Sequence, residues 1–390
     1  MIRMSRCGFH GWSRSPSALP RDGWRAASSP CRWGSSARRC CRLQKKGRAA
    51  GVERKMRHRR RGSLLVVTLW LVTMLAVLAV AIGRFLSREV RLARYHTVRQ
   101  QAKAFARGGV YLAMERLRQD AEQDEVDWLA DDWASPTPSA SESAWLIDVP
   151  SAGSATAQRR GTLVIRIIDE ERKFNLNASG EAPADPLAAA ARRLLSGLDV
   201  PSELAARLGD YIDADNEPRD PGGLESDVGQ PPSYITKGGP LLSWSELLEI
   251  PGMAELKPVT LGALRSHSSV FLGADRHVNV NTVHPDVLVA LGFSSNSAQA
   301  LQLCRNNGTV FTDQATLLTT LEACLGADGL TSEETTLAGT YFATVSNTFT
   351  VVSEAVIDDR SPVRARIEAV IRRTGCPSDA EACIVAWVEG

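Results

Sequence analysis

The sequence lacks the compositional bias of fibrous, disordered and polytopic membrane proteins. Its 390 residues include 30 Gly and 19 Pro, far from a collagen-like share, and 44% hydrophobic with 23% charged residues is an ordinary globular composition. Only one long uncharged apolar run occurs, so several membrane crossings are not expected. The length is sufficient for two or three folded units, each with its own core.

Catalytic motifs are also missing. The sequence has no GxSxG, no phosphate-binding loop, no CxxC pair that would indicate zinc, and no HExxH spacing among His267, His277 and His284. The acidic triplet at 169–171 is more typical of a charged strand end than of an acid/base pair. The sequence therefore predicts that the chain is not an enzyme.

Charge is distributed unevenly along the chain. Residues 1–61 contain 18 of the 46 Lys and Arg but only 2 of the 44 acidic residues, a net charge of +16 that leaves −14 for the rest. A basic head and an acidic body therefore need separate explanations. Residues 1–55 show neither helical nor strand periodicity. Met56 is the predicted true start, in which case 1–55 would not be translated. The alternative is a disordered basic tail that contacts anionic lipid or nucleic acid.

The apolar run covers residues 64–82 (LLVVTLWLVTMLAVLAVAI). At 1.5 Å per residue a helix of this length reaches about 28 Å, enough to cross a hydrocarbon core of about 30 Å. Basic residues flank both sides, so the positive-inside rule does not decide the orientation. A helical pattern without Pro continues to residue 118. Small or apolar residues form a stripe along it: Ala102, Phe105, Ala106, Gly109, Leu112, Ala113 and Leu117.

The body has strand patterns on both sides of a helical middle. Short helical patterns fill about 184–330, and 121–160 indicates loop. This order predicts an α+β fold in which one sheet domain carries an inserted all-α domain. The predicted strands are 161–169, 172–178, 341–357, 362–372 and 383–388.

Four cysteines follow the apolar run: Cys304, Cys324, Cys376 and Cys383. An even number can close as two disulfides in an oxidising compartment, and four cysteines allow three pairings. We predict the two local pairings, 304 with 324 and 376 with 383. Free thiols in a cytosolic body are the alternative.

The densest chemical signal is the acidic segment 210–227 (DYIDADNEPRDPGGLESD). Acidic residues alternate at its start and return after two glycines. Hard oxygen ligands in one loop suit Ca²⁺, which takes six to eight of them. The spacing is not that of an EF-hand, and a solvated acidic turn is the alternative. The candidate ligands are Asp213, Asp215, Glu217, Glu225 and Asp227.

Two segments resemble helix-hairpin-helix units: 243–252 (SWSELLEIPG) and 278–292 (VNVNTVHPDVLVALG). Units of this kind can bind a DNA phosphate at a helix N-terminus. Residues 201–330 carry 7 basic and 16 acidic residues, however, and an acidic surface repels the DNA backbone. We interpret the two segments as structural helical packing.

Taken in order, RRRGSLLVVTLWLV, DEERKFNLNAS, the acidic segment, SWSELLEIPG and VNVNTVHPDVLVALG resemble the minor pseudopilin K family of type II secretion systems. The resemblance extends from about Met56 to Arg373. It implies the pseudopilin fold, in which a long N-terminal transmembrane and amphipathic helix packs on an antiparallel sheet, here with an inserted all-α domain. The implied domains are a leader at 1–62, the helix at 63–120, sheet parts at 121–183 and 331–390, and the insertion at 184–330.

The resemblance also implies processing of the leader. Prepilin peptidase would cut after Gly62, and Ser63 would become the N-methylated mature terminus, although Ser63 is smaller than the apolar residue common there. Val67 then occupies the fifth mature position, where major pilin-like subunits carry Glu. A carboxylate in lipid is costly unless it is paired, and the resemblance implies that this Glu neutralises a neighbour's amino terminus. A subunit with Val67 therefore fits the tip, with nothing above it.

The function implied by the resemblance is structural. The chain would sit at the tip of the periplasmic pseudopilus, help initiate its assembly and so support export of folded proteins across the outer membrane. One span would anchor it in the inner membrane of a Gram-negative bacterium, with its body in the periplasm. Minor pseudopilins I and J would be its partners, and secreted proteins are candidate partners; no nucleic acid is expected.

Two finer details follow from the same resemblance. Calcium binding is a property of the family, which strengthens the assignment of the five acidic residues as ligands of a structural Ca²⁺. A disulfide between Cys376 and Cys383 would join the last two strands.

Two other functions stay open. The main alternative is a membrane-anchored helix-hairpin-helix protein of DNA binding or uptake, because VNVNT also resembles motifs of that class. A calcium-dependent surface hydrolase would need a nucleophile and a base that the sequence does not show. The basic leader ending in Gly62 favours the pseudopilin, since neither alternative requires a cleavable leader.

Overall fold

The computed structural model describes residues 60–123, 125–134, 145–151, 159–226, 234–326, 329–357, 362–376 and 382–390. The chain divides into two compact units, residues 1–76 and 77–390. Helix α1, Arg60–Gln123, begins in the first unit and ends in the second. All side chains from 64 to 97 are exposed, including the apolar run. By length and composition, α1 is the one helix in the described part of the chain that could cross a membrane.

In the second unit, α1 packs one face against an antiparallel sheet. The buried positions recur every three or four residues, so they lie on a single face of the helix. The predicted stripe is largely right, but Leu112 is 41% exposed and lies outside it. The buried residues of α1 are Val98, Ala102, Ala106, Gly109, Val110, Ala113 and Leu117.

The sheet that receives α1 has five strands: β1 Trp145–Ser151, β2 Arg159–Asp169, β7 Thr348–Ile357, β8 Val363–Arg372 and β9 Cys383–Glu389. Their order in the sheet is β1-β2-β7-β8-β9, and all neighbouring strands are antiparallel. The central strands β2 and β7 come from opposite sides of the helical region and pair from Gly161 with Ile357 to Asp169 with Phe349. Along β8, buried and exposed residues alternate, as expected for a sheet with one face on the core.

The helices that separate β2 from β7 confirm the predicted α+β architecture with a helical insertion. These helices extend past the predicted boundary at 330, because the last of them ends at Tyr341. They are α2 Pro186–Gly197, α3 Ser202–Ile212, α4 Trp244–Leu247, α5 Pro258–His267, α6 Pro285–Leu291, α7 Ser295–Asn306, α8 Gln314–Leu325 and α9 Ser332–Tyr341.

Three predictions of secondary structure differ from the structure. The predicted strand at 341–357 is divided, because Tyr341 ends α9, β6 covers Phe342–Ala343 and β7 begins at Thr348. Strand β1 lies within 121–160, the segment for which the sequence predicts loop. The predicted strand at 172–178 is reduced to β3, Phe174–Asn175, and a 3-10 helix at Leu176–Gly180 follows it. The cause is local, because the Asn175 side chain accepts a hydrogen bond from the backbone N–H of Asn177 and so turns the chain.

The helical region consists of two modules built on one plan. Each begins with Asn-x-Asn, in FNLNA at 174–178 and VNVNT at 278–282, and the first Asn side chain accepts from the N–H of the second at 3.1 Å and 2.9 Å. The second Asn of each pair is buried and clasps the backbone N–H and carbonyl of one distant residue. That residue is Leu241 for Asn177 and Phe311 for Asn281.

Each module also closes in the same way. In the first module α5 runs into β4, Ser268–Ser269, which pairs in parallel with β3. In the second, α9 runs into β6, Phe342–Ala343, which pairs in parallel with β5, Val278–Asn279. The repeated hydrogen bonds and strand pairs define the first module as residues 174–269 and the second as 278–343.

A buried polar network holds the end of β2 against the second module. One carboxylate oxygen of Asp169 accepts from the hydroxyls of Thr282 and Ser346, the latter at 2.8 Å. Glu171 accepts from the backbone N–H groups of Asn347 and Thr348. Burial raises the pKa of Asp169 to about 6, and burial together with the Asp169 charge raises the pKa of Glu171 to about 9.

Candidate metal centre

The acidic segment forms a loop that begins where α3 ends. Asp210 lies in the last turn of α3 and is fully buried, and Asp213 follows the helix at its C-cap. The loop then returns and brings Glu225 to the same place. One ligand atom from each of Asp210, Asp213 and Glu225 lies within 4.8 Å of the other two. We call these three residues the acidic cluster.

Asp210 fixes the path of the loop. Its carboxylate accepts hydrogen bonds from the backbone N–H of Arg219 at 3.2 Å and of Leu224 at 2.6 Å. The loop passes so close that a Cβ on Gly223 would lie 2.2 Å from Asp210 Oδ2. A residue with a side chain could not take this position unless the loop moved, so the close approach of the loop to Asp210 requires glycine here.

Arg219 occupies one side of the acidic cluster. Its Nε and Nη2 both donate to Asp213 Oδ2, at 3.0 Å and 2.7 Å. The same guanidinium donates to the carbonyls of Ser179 at 2.7 Å and Glu181 at 2.9 Å. A two-bond contact of this kind fixes both geometry and charge. Arg219 therefore ties the acidic loop to the start of the first module and offsets part of the cluster's negative charge.

Two carboxylate oxygens of the acidic cluster accept no hydrogen bond and are available to bind a cation. Asp213 Oδ1 and Glu225 Oε1 are buried and have no hydrogen-bond partner. A buried acceptor without a partner is unfavourable, and a cation would satisfy it. Burial raises the pKa of Asp210, Asp213 and Glu225, and neighbouring carboxylates raise it further. Oxygen donors alone, with excess negative charge, fit Ca²⁺.

The structure brings together only some of the predicted ligands. Asp213 and Glu225 lie in the cluster, whereas Asp215 and Glu217 are exposed, and Asp215 instead accepts from the backbone N–H of Glu217 at 2.9 Å. Asp227 lies outside the described residues. Sequence reasoning missed Asp210, although its position one helical turn before Asp213 was a usable signal.

The other predicted site residues lie apart from this cluster. Gly62 and Ser63 are within α1, and their side chains are outside the described set. The Val67 side chain is 61% exposed. The structure contains disulfides between Cys304 and Cys324, in α7 and α8, and between Cys376 and Cys383, at the start of β9.

The polar residues of VNVNT are inaccessible to a nucleic acid. Asn279, Asn281 and Thr282 are all buried. The Asn279 amide donates to the carbonyl of Asp127 at 3.0 Å and to the hydroxyl of Ser346 at 2.8 Å. Their side chains therefore serve internal packing, in agreement with the structural interpretation of this motif.

The match to a protein-family model falls in the helical region of the chain. The family model described as "Type II secretion system (T2SS), protein K" matches residues 172–265. This range begins just before FNLNA and ends in α5, so it corresponds closely to the first module.

Relatives and a solved structure cover more of the chain. A type II secretion system protein K of Klebsiella pneumoniae is 29% identical over 244 residues, 59% of this chain and 69% of the relative. A protein K of Pectobacterium carotovorum subsp. carotovorum is 27% identical over 213 residues, 51% of this chain and 60% of the relative. The crystal structure of the GspK-GspI-GspJ complex from the enterotoxigenic Escherichia coli type 2 secretion system gives a TM-score of 0.58 at 19% identity. The match covers 76% of this chain and 99% of that chain.

A long apolar N-terminal helix, an antiparallel sheet against its later turns and a helical insertion between two central strands give the chain the fold of a pseudopilin with an inserted domain. Within this class, the chain is similar to type II secretion system protein K, which confirms the resemblance carried by the sequence motifs. A pseudopilin is a structural component, so the prediction that the chain is not an enzyme is also confirmed.

Proposed function

We propose that this pseudopilin sits at the tip of the periplasmic pseudopilus, helps initiate its assembly and so supports export of folded proteins across the outer membrane. The observation that carries the proposal is Val67, an apolar and exposed side chain at the fifth position after the cleavage site. A carboxylate there would need a neighbour's amino terminus as partner, because an unpaired charge in lipid is costly. A subunit at the tip has no neighbour above it to supply that partner, so an apolar residue at this position fits the tip.

The proposal includes processing and location. Prepilin peptidase removes the basic leader after Gly62, and Ser63 becomes the methylated terminus. The apolar part of α1 then spans the inner membrane once, with the body in the periplasm. The two disulfides support this location, since disulfides persist in oxidising compartments and are rare in the cytosol.

Minor pseudopilins I and J are the proposed partners. The support is the fold, because the solved structure that resembles this chain is a GspK-GspI-GspJ complex. Several exposed apolar side chains on α1 and β9, among them Tyr111, Leu112 and Val388, are available for contact in this assembly. Secreted proteins are further candidate partners.

Calcium is the proposed structural cofactor. The unpartnered oxygens of Asp213 and Glu225 would hold the ion together with Asp210. Its charge would offset the repulsion among three buried carboxylates and fix the acidic loop on the first module. Asp227, which lies outside the described residues, is a further candidate ligand, whereas exposed Asp215 and Glu217 are not in the cluster.

The test begins with the amino-terminal residue and mass of the chain purified from membranes of cells with and without prepilin peptidase. A methylated Ser63 terminus that depends on the peptidase, and co-purification of the processed chain with I and J, are the expected results. The same terminus in both strains would contradict the proposal. It would favour the alternative of a membrane-anchored DNA-binding protein, for which DNA migration at low salt is the direct assay.

A further inference from the structure

A histidine-carboxylate cluster lies at the junction of the two helical modules. His267 is the last residue of α5 in the first module, His284 is the N-cap residue of α6 in the second, and Asp286 follows in its first turn. His267 Nε2 lies 3.2 Å from Asp286 Oδ2, and His284 Nδ1 lies 3.6 Å from the same oxygen. One ligand atom from each residue lies within 4.8 Å of the other two.

We propose that His267, His284 and Asp286 bind one divalent transition metal ion of the Zn²⁺ type. Two imidazoles and one carboxylate form a donor set that Zn²⁺ accepts, and three protein ligands leave a fourth position for water. Ligands about 2.0–2.1 Å from a tetrahedral ion stand about 3.3 Å apart, close to both distances to the Asp286 oxygen. The donor set also separates this site from the acidic cluster, since nitrogen ligands suit Zn²⁺ and oxygen ligands suit Ca²⁺.

The surroundings of His267 are those of a metal ligand. Its Nδ1 lies 2.8 Å from the carbonyl oxygen of Ala263. A proton on Nδ1 satisfies this contact and leaves the Nε2 lone pair directed toward Asp286. Ligating histidines usually donate their second ring N–H to a carbonyl or carboxylate in this way, which fixes the ring and its tautomer. His284 Nδ1 accepts only a long 3.3 Å bond from the N–H of Asp286, which a metal would replace.

The cluster is accessible to solvent, and the charges around it determine its affinity for a metal ion. The side chain of His267 is 15% exposed, that of His284 is 38% exposed and that of Asp286 is 62% exposed, so an ion can enter from solvent. Arg172 and Arg305 act on His284 with positive charge and oppose a dication. Asp286 supplies the single negative charge of the donor set. The proposed role of the ion is to cross-link the end of the first module to the start of the second.

Metal binding at this cluster does not depend on the position of the chain in the pseudopilus, so a binding measurement on the purified chain tests it directly. The full chain is purified in detergent without a polyhistidine tag, and any reduced cysteine is alkylated so that thiols do not compete for the ion. Zn²⁺ is then titrated by calorimetry in calcium-saturated buffer, with Mg²⁺ as the ion that lacks affinity for imidazole. We expect saturable binding of one Zn²⁺ and a rise in melting temperature.

Four variants locate the site. His267→Ala, His284→Ala and Asp286→Asn should each weaken Zn²⁺ binding at least 10-fold, since loss of a ligand costs no less than loss of an outer-shell partner. His277→Ala is the matched control, because His277 pairs with Asp275 outside the cluster, and it should bind Zn²⁺ as the parent does. Asp286→Asn keeps the shape of an exposed side chain, so misfolding would not explain its effect. No saturable binding in the parent chain, or equal binding by all four variants, would overturn the inference.

Discussion

Buried carboxylates dominate the electrostatics of this protein at the residue scale. Asp169 and Glu171 lie on either side of the turn that leaves β2, and both accept hydrogen bonds from the segment before β7. Their pKa values are raised to about 6 and about 9, mainly because burial penalises the charged forms. The junction between sheet and helical region is therefore held by groups that keep their protons well above the ordinary carboxyl range.

This arrangement makes stability depend on pH. Between an unfolded pKa near 4.3 and its folded pKa of about 9, Glu171 holds a proton that the unfolded chain releases. The free energy of unfolding should therefore fall as pH rises from 6 to 9, by up to about 1.4 kcal/mol per pH unit. Denaturant unfolding in calcium-saturated buffer measures the slope. Glu171→Gln cannot titrate and should show a flatter profile; an equal slope would contradict the assignment.

The acidic cluster gives a second prediction at this scale. Calcium at 100 times its Kd should stabilise the folded chain by about 2.7 kcal/mol. Glu225→Gln removes the negative charge of one of the two carboxylates that have an unpartnered oxygen and should lose most of this gain. Glu217→Gln removes an exposed charge of the same loop outside the cluster and should keep it. Melting temperatures with calcium and with chelator measure both effects. Equal loss in the two variants would mean that the loop binds cations only by its overall charge.

At the scale of elements, the sequence predicts the helices and strands that have a clear hydrophobic periodicity. It does not predict the segments whose conformation depends on contacts with residues distant in the chain. The α1 stripe and strands β2, β7, β8 and β9 follow hydrophobic patterns, so they could be recognised locally. The strand predicted at 172–178 also alternates, but the Asn177 side chain clasps Leu241 and the chain turns into a 3-10 helix. Asp210 lies one helical turn before Asp213 and could have been included, but its contacts with the N–H groups of Arg219 and Leu224 form only when the loop folds back.

The packing of α1 on the sheet yields a paired prediction. A Cβ on Gly109 would lie 2.2 Å from Ser353 Oγ and 3.2 Å from Leu163 Cδ1, so Gly109→Ala should destabilise the fold by about 1–3 kcal/mol. Adjacent Gly108 has nothing within 4 Å of the same position. Gly108→Ala should therefore stabilise by about 0.5–1 kcal/mol, because Ala favours the helix. Denaturant unfolding of the two variants measures the difference. Equal effects would mean that α1 does not approach the sheet at Gly109.

For the whole molecule, the uneven distribution of charge along the chain predicts how it responds to DNA. Residues 1–61 carry +16 and the rest carry −14, so the two parts should respond to DNA in opposite ways. The processed chain from Ser63 should not retard duplex DNA at low salt, since its acidic body repels phosphate and the VNVNT side chains are buried. The chain that retains 1–61 should retard it, and about 200 mM salt should abolish this effect. Gel migration of both forms over a salt series is the measurement. Retardation by the processed chain that survives physiological salt would show that the helical modules bind DNA, against their internal use of Asn279 and Asn281.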